Sequence, residues 1–262
     1  MPTTPLIAYA HVGKTFDAGR VVAVDDVSLD VAEGEFLAIV GGSGSGKTTL
    51  LRLANRLIET DTGSITVEGE DVRNVDPILL RRRIGYVFQS GGLFPHLSVA
   101  GNIGITPKLT GTPPAEISAR VDELLDLVRL DRAQYRDRLP HELSGGQRQR
   151  VGVARALAAR PRIVLMDEPF GALDPLTRDA LGDDFRELHR TLGLTTVMIT
   201  HDMTEAILLA DRIAVMGGGK LLAQGTPSEL SESDDTYVGE LLRTPRRQAE
   251  RLGALLPREG AA

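Results

Sequence analysis

The sequence predicts an α/β fold with a parallel sheet that is interrupted by a block of helices. Three segments of the second half, RIVLMD, TTVMIT and RIAVM, are short apolar runs that each follow a helical stretch, which is the alternation expected of parallel strands. An earlier run, FLAIVG, contains no polar residue and fits a strand that is buried on both faces. Between these parts, from about residue 98 to 158, the pattern is mostly helical.

Length and composition exclude several classes of protein. The 262 residues, 42% of them hydrophobic, suffice for one large α/β domain or two small ones. The net charge of -6 argues against a broad basic surface for nucleic acid, and the absence of cysteine excludes disulfides, thiolate metal sites and thiol catalysis. No segment approaches the roughly 20 apolar residues that cross a bilayer, and the N-terminus does not resemble a secretion signal. We therefore expect a chain that stays in the cytosol.

Local signals place the remaining elements. Alternation in VVAV and DDVSLDV predicts strands near the N-terminus, and ITVEGEDV and RIGYVFQ predict two more. Thr112, Pro113 and Pro114 open a helix, Asp174 with Pro175 suits another helix start, and Asp202 with Glu205 resembles a capping box. RIAVM, GGGK and LLAQG predict a terminal hairpin. From Ser231 onward the sequence turns polar, and we expect a frayed tail over 231–262.

A glycine-rich turn between the FLAIV strand and the next helix carries the clearest chemistry. Residues 41–48, GGSGSGKT, fit the phosphate-binding pattern G-x-x-x-x-G-K-[ST]. Glycines let backbone amides curl around a polyphosphate, Lys47 reaches its outer phosphates, and the Thr48 hydroxyl suits Mg²⁺. An unliganded glycine turn is the alternative, and the flanking strand and helix disfavour it. The loop by itself indicates only a nucleotide.

Two further segments have a functional interpretation once the phosphate loop is accepted. Asp167, at the end of RIVLMD, suits a Mg²⁺-holding carboxylate, and Glu168 suits a base for an attacking water; without the loop, solvated acids would explain them equally well. Ser144, Gly145, Gly146 and Gln147 begin a helix and offer a hydroxyl and bare amides to an anion. A second anion site about a hundred residues from the first suggests a contribution from a partner subunit.

Taken together, LSGGQ, the preceding phosphate loop and the following LMDEP resemble the signature of the ABC ATPase family, over about residues 5–230. The resemblance implies a P-loop NTPase (RecA-like) core, an N-terminal antiparallel β subdomain and an α-helical subdomain inserted at about 95–158. It implies an ABC ATPase domain over 1–230, ATP and Mg²⁺ as ligands, and a head-to-tail dimer in which each ATP lies between one phosphate loop and the partner's signature segment. Many similar ATPases also carry a C-terminal pair of cystathionine-synthase-type regulatory modules, and as a departure from that pattern we expect no regulatory domain in 231–262.

The resemblance also assigns roles by position. Phe16 matches the aromatic residue that stacks on adenine, and Asp174 matches the dimer-facing aspartate. Gln89 matches the glutamine that senses Mg²⁺ and the attacking water. His201 matches the histidine that contacts the γ-phosphate. By themselves, Phe16 would more often be core, Gln89 a strand-end polar residue and His201 a loop histidine. The implied ATP-binding set is Phe16, Gly41, Gly42, Ser43, Gly44, Ser45, Gly46, Lys47, Thr48 and Thr49, with Thr48, Gln89 and Asp167 at Mg²⁺.

The same resemblance implies membrane partners. The helical subdomain, with Gln89 to Val99, would meet permease subunits at the cytoplasmic face of the membrane, and these would work with a solute-binding protein. RLIETDTGSITVEGEDV, DPILLRRRIGYVFQ and GLFPHLSV resemble the ATPases of osmoprotectant importers, which handle glycine betaine, choline, carnitine or proline. Alternatives are a different solute, a soluble ABC ATPase of DNA repair or translation, and a nucleotide-binding module without hydrolysis; no nucleic-acid partner is expected.

Overall fold

The computed structural model describes residues 5–89 and 91–255, which contain both strands and helices. The strands are β1 (Ile7–Phe16), β2 (Val21–Val31), β3 (Phe36–Val40), β4 (Thr62–Val67), β5 (Glu70–Asp71), β6 (Ile84–Val87), β7 (Ile163–Asp167), β8 (Thr195–Ile199), β9 (Arg212–Gly217) and β10 (Lys220–Gly225). The helices are α1 (Lys47–Ala54), α2 (Pro77–Arg83), α3 (Val99–Ile103), α4 (Ile105–Leu109), α5 (Pro114–Leu127), α6 (Arg132–Tyr135), α7 (Gly145–Leu157), α8 (Pro175–Leu192), α9 (Met203–Leu209), α10 (Pro227–Ser231) and α11 (Thr236–Leu255).

The larger sheet has the strand order β10-β9-β3-β8-β7-β6. Its strands β9, β3, β8, β7 and β6 are parallel, and β10 pairs antiparallel with β9, as the end of the predicted hairpin. Every residue of β3, β7 and β8 is buried, as the continuous apolar runs predicted. Because Ile39 and Asp167 both pair with Ile199, the carboxyl ends of β3, β7 and β8 lie side by side. The loops after these strands therefore meet at one edge.

The N-terminal strands form a separate antiparallel sheet of order β2-β1-β4-β5. VVAV and DDVSLDV form one continuous strand, β2, and bulges shift its register with β1. Tyr9, Val27 and Ile65 of this sheet are buried in one cluster with Leu50 of α1 and Ile39 of β3. The small sheet thus packs over the helix that follows the glycine-rich turn and helps to fix its position.

The predicted helical block contains α3 to α7. Pro114 occupies the first turn of α5, as expected, and Val121, Leu124 and Leu125 are buried on one face of this helix. These residues join the cluster that includes Val151 of α7 and Met166 of β7. The block is therefore packed onto the larger sheet through α7. The fold expectation of a core with an antiparallel subdomain and a helical insertion is confirmed.

The predicted helix starts at Asp174 and Asp202 are both present, but the capping box predicted at Asp202 is not formed. Asp174 caps α8 by accepting from the Thr177 amide, with Pro175 in the first turn, as predicted. Asp202 caps α9 by accepting from the amides of Thr204 and Glu205. However, the capping-box interpretation of Glu205 is wrong, because its carboxylate accepts from the Thr200 hydroxyl instead of the Asp202 amide. The buried hydroxyl is a competing partner that sequence spacing does not reveal.

The expectation of a frayed tail from Ser231 is wrong as far as the structure describes the chain. α10 extends to Ser231, and α11 continues from Thr236 to Leu255. Val238 and Leu242 of α11 are buried in the main core cluster. One apolar face over the first turns suffices to dock this helix, although arginines dominate the sequence that follows. Residues 256–262 of the predicted tail lie outside the described residues.

Within residues 5–89 and 91–255, no helix combines the length and apolarity that a membrane span requires.

Candidate functional site

The loop of residues 41–48 connects β3 to α1 and is shaped by its glycines. Gly41 and Gly46 have φ angles of 151° and 98°. A Cβ atom at Gly41 would lie 2.1 Å from the Met216 carbonyl oxygen, and one at Gly46 would lie 2.1 Å from the Ala23 carbonyl oxygen. Both positions therefore require glycine. Because Gly46 caps α1 without a side chain, the first amides of the helix face the loop and are available to an anion.

Lys47 extends across this loop. Its buried Nζ donates to the carbonyl oxygens of Gly41 and Gly42, at 2.8 and 2.9 Å, and approaches the Ser45 Oγ at 3.4 Å. Burial lowers the pKa of Lys47, and the charges of Glu168 and Asp167 act in the opposite direction. A polyphosphate in the loop would bring further negative charge to this ammonium group and favour its charged form.

The predicted metal-binding pair is adjacent in space. Thr48 begins α1 and Asp167 ends β7, and the Thr48 Oγ1 donates to Asp167 Oδ1 at 3.2 Å. The other oxygen of Asp167, Oδ2, accepts from Arg52 Nη2 and from the Tyr86 hydroxyl, each at 3.2 Å. Burial, followed by the Asp167 charge, raises the pKa of Tyr86 to about 12, so this hydroxyl remains a donor at neutral pH.

Sequence reasoning missed Arg52 and Tyr86. Arg52 follows Thr48 by four residues on α1, which places both on one helix face. Tyr86 lies on β6, which pairs with β7. The helical spacing was a signal for Arg52, whereas Tyr86 becomes visible only once the strand order is known.

Two predicted residues, Gln89 and His201, converge on one oxygen atom of Glu168. The Gln89 Nε2 donates to Glu168 Oε2 at 3.0 Å, and His201 Nδ1 lies 3.4 Å from the same atom. Glu168 has φ 46°, which is unfavourable for a residue with a side chain, and its amide donates to the Ile199 carbonyl oxygen. That backbone bond helps to hold the carboxylate in a strained position beside Asp167. Such strain is typical of functional sites.

Phe16 ends β1 and keeps 39% of its surface exposed. It pairs with Val21 of β2, and two residues further along that strand the Ala23 carbonyl oxygen lies against Gly46 of the phosphate loop. Lys14 Nζ lies 5.5 Å from the centre of the Phe16 ring. The ring is therefore exposed near the start of α1, as adenine stacking would require, while that role remains a prediction.

The signature segment lies at the start of α7. The Ser144 Oγ accepts from the Gln147 amide at 3.3 Å, and the Gln147 Oε1 accepts from the Ser144 amide at 2.9 Å. This closed capping box orients the first turn of α7. A Cβ at Gly146 would lie 2.5 Å from Thr177 Cγ2, so the segment packs against the start of α8, where Asp174 is located. Hydrogen bonds from Thr177 lower the pKa of Asp174.

The structure thus brings together most, but not all, of the predicted site. The phosphate loop, Asp167, Glu168, Gln89 and His201 lie at one edge of the larger sheet. Among the described residues, no hydrogen bond or ion pair joins the signature segment to this group. The signature segment instead shares a surface with Thr177 and Leu176 of α8, and Leu176 is 84% exposed.

The segment from Gln89 to Val99 borders an apolar groove. Ser90 lies outside the described residues. The groove has a volume of about 450 Å³ and is lined by Phe88, Phe94, Leu109 and Arg155, among others. Phe88 and Phe94 are 42% and 44% exposed. Arg155 donates to the carbonyl oxygens of Gly91 and Gly92, each at 2.7 Å, so α7 holds the segment directly.

Tyr237 of α11 also reaches the phosphate loop, which the sequence did not indicate. Its hydroxyl oxygen accepts from the Gly42 amide at 3.1 Å. Because the Gly42 carbonyl oxygen accepts from Lys47, this peptide is held on both sides. The C-terminal helix therefore supports the loop.

We expect Tyr237→Phe to weaken ATP binding by about two- to tenfold with little change in kcat, since a typical hydrogen bond contributes about 0.5–1.5 kcal/mol. Titration with a fluorescent ATP analogue measures the dissociation constant. Tyr9→Phe is the matched control, because Tyr9 is buried in the N-terminal sheet and its hydroxyl has no hydrogen-bond partner within residues 5–89 and 91–255. An unchanged dissociation constant for Tyr237→Phe would show that the contact does not support nucleotide binding.

Residues 24–171 match the family model described as ABC transporter. The chain is 47% identical, over 97% of its length and 68% of the relative's, to the glycine betaine/carnitine/choline transport ATP-binding protein of Bacillus subtilis. It is 51% identical, over 85% of its length and 71% of the relative's, to the glycine betaine uptake system ATP-binding protein of Escherichia coli.

A sulfate/thiosulfate import ATP-binding protein of Agrobacterium fabrum is 48% identical, over 92% of the chain and 70% of the relative. Among solved structures, a dimeric ATP-binding cassette in a post-hydrolysis state with ADP and Pi matches with TM-score 0.75 and 32% identity, covering 84% of this chain and 98% of that one. By its family match, these relatives and the geometry of its nucleotide site, the chain belongs to the ABC transporter family and is an ATPase of that family.

Proposed function

We propose that the chain is the ATP-hydrolysing subunit of an importer for a compatible solute such as glycine betaine, choline, carnitine or proline. The observation that carries the hydrolytic part is the convergence of Gln89 and His201 on Glu168, beside the Thr48 and Asp167 pair. The solute class is supported by the names of the relatives in Bacillus subtilis and Escherichia coli.

The residues at the sheet edge suit hydrolysis of a γ-phosphate. Thr48 Oγ1 and Asp167 Oδ1 are oxygen ligands of the kind that Mg²⁺ prefers. Gln89 is hydrogen-bonded to Glu168, the residue that directly follows Asp167. These residues would hold the ion, which would neutralise phosphate charge when bound. Glu168 would accept the proton of the attacking water, and Gln89 would orient that water. Lys47 and His201 would stabilise charge on the γ-phosphate, so that positioning and electrostatics supply the rate.

A second copy would complete this site. Ser144 and Gln147 lie at the start of α7 on the same surface as Leu176 of α8, the helix that Asp174 caps. In a head-to-tail dimer, each signature segment would face the partner's nucleotide, and Asp174 would lie at the contact. A dimer is the assembly of the solved relative with ADP and Pi, which supports this arrangement.

The groove at Phe88 and Phe94 would receive a permease segment at the cytoplasmic face of the membrane. Its exposed aromatic rings are typical of a docking surface, and its loop from Gln89 to Val99 also carries a residue of the site. Movement of the loop would then link the permease to Glu168. The permease would in turn work with a solute-binding protein.

Two alternatives remain for the function. A different solute is supported by the Agrobacterium relative, since a sulfate/thiosulfate import protein is about as similar as those for glycine betaine. A soluble ABC ATPase acting on nucleic acid is disfavoured by the net charge of -6.

An uptake assay separates these possibilities. In cells that lack this gene, we expect uptake of labelled glycine betaine to fall at high osmolality and to return with the wild-type gene but not with Glu168→Gln. Labelled choline, carnitine, proline and sulfate are measured in parallel. Unchanged uptake of the four organic solutes with reduced uptake of sulfate would replace the proposed solute class, and unchanged uptake of all five would contradict a role in their import.

A further inference from the structure

Arg178 lies in the first turns of α8 and contacts two loops of the candidate site. Its Nη2 donates to the Leu173 carbonyl oxygen at 3.2 Å, directly before Asp174. Its Nη1 donates to Asp202 Oδ2 at 3.2 Å, directly after His201. One guanidinium group therefore joins the loop that would face the second copy to the loop that would face the γ-phosphate.

The loop around His201 is held on both sides of that residue. The Asp202 amide donates to the Thr200 Oγ1 at 3.0 Å, so Thr200 and Asp202 are fixed to each other. Asp202 Oδ1 accepts from the Thr204 amide at 2.8 Å and thereby caps α9. Because Arg178 uses the other oxygen of Asp202, a shift of Arg178 would move the backbone next to His201.

A buried carboxylate reinforces this connection. Glu205 is 7% exposed, and its Oε2 accepts from the Thr200 hydroxyl at 2.5 Å. Its Oε1 lies 3.6 Å from Arg178 Nε. Burial raises the pKa of Glu205, whereas the charge of Arg178 acts to lower it. Arg178 thus faces acceptors on α9, on the loop before α9 and on the loop before α8.

We propose that Arg178 is a positioning residue through which contact of the second copy at Asp174 sets the position of His201 over the γ-phosphate. This role rests on the proposed function of the chain. A planar guanidinium presents donors in a fixed fork and holds several acceptors at once, whereas a lysine ammonium is a single flexible point charge. Arg178→Lys therefore keeps a positive charge beside Glu205 but loses the connection between the two loops.

The test compares substitutions at two arginines of the same helix. We expect Arg178→Lys and Arg178→Gln to lower kcat by about 10- to 100-fold with KM within about threefold, because small misplacements of a catalytic group have effects of this size. Arg186→Gln is the matched control: Arg186 also lies on α8 and pairs with an aspartate, Asp211, but contacts neither loop. Its kcat is expected within about twofold of wild type, whatever its effect on melting temperature.

A second measurement follows His201 directly. In the Glu168→Gln background, ATP is expected to shift the imidazole NMR signals of His201, and Arg178→Lys should abolish that shift while the dimer still forms. The chain has five histidines, so a His201→Gln variant assigns the signal.

The outcomes separate the role of Arg178 from the function of the site. If Arg178→Lys and Arg186→Gln lost kcat and melting temperature equally, Arg178 would have only a structural role and the proposal would be wrong. A normal kcat in Arg178→Lys would also overturn the proposal. If wild-type protein failed to hydrolyse ATP, the proposed function itself would be wrong, and this role with it.

Discussion

Replacing Glu168 with glutamine is expected to lower ATP turnover by about 10²–10⁴-fold while leaving ATP binding intact, as for loss of a general base. Glutamine has nearly the same shape and still offers an oxygen to Gln89, which donates to Glu168 Oε2 in this structure. It does not accept a proton from water at neutral pH. The phosphate loop and Lys47 are unchanged, so the nucleotide should still bind.

The same variant should accumulate as a dimer with ATP and Mg²⁺, because the closed state forms but is not released by hydrolysis. Phosphate release measures turnover, and size-exclusion chromatography with and without ATP measures the dimer. Glu232→Gln is a suitable control, since Glu232 is an exposed glutamate near α10, outside the site. Turnover within twofold of wild type would show that Glu168 is not the base, and a persistent monomer would contradict ATP-driven closure.

The sequence patterns predict the sheet and its functional edge well for a physical reason. A strand buried on both faces reads as a nearly continuous apolar run, so FLAIV and the IVLM that precedes Asp167 are visible without knowledge of their neighbours. Parallel strands place their carboxyl ends together, and Thr48 and Asp167 therefore meet although 119 residues separate them. Motif and topology determine these positions jointly.

The sequence patterns did not reveal residues whose contacts at the site are with residues far away in the chain. Tyr237 and Arg178 belong to no motif, and their partners, Gly42 and Asp202, are determined by helix packing that local periodicity does not encode. Glu205 was misinterpreted because a buried hydroxyl competes for its carboxylate. The tail was misinterpreted because a few apolar residues of α11, such as Val238, outweigh the many charges that follow them.

Within residues 5–89 and 91–255, no hydrogen bond joins the signature segment to the phosphate loop, and we propose that the two segments form a nucleotide site only across a dimer. Ser144 and Gln147 satisfy each other's backbone amides, so the start of α7 is already ordered in a single copy. A preorganised helix start loses less entropy when a phosphate arrives from another chain. This arrangement predicts that a defect in the signature segment damages the partner's site and spares the site of its own chain.

Mixed dimers test this directly with Ser144→Arg and Lys47→Ala. When the two substitutions are on different chains, one site combines an intact Lys47 with an intact Ser144. When both are on one chain and the partner is wild type, each site contains one defect. We expect trapping of about one ADP per dimer with vanadate in the first arrangement and roughly 10²-fold less in the second, since losing a preorganised donor costs about that much.

Both arrangements contain the same two substitutions, so composition and folding defects are matched between them. Different affinity tags on the two chains allow each mixed dimer to be purified without the parent homodimers. Equal trapping in the two arrangements would mean that Ser144 does not act across the dimer. More trapping with both substitutions on one chain would instead indicate that Ser144 acts with the Lys47 of its own chain, which would contradict the head-to-tail arrangement.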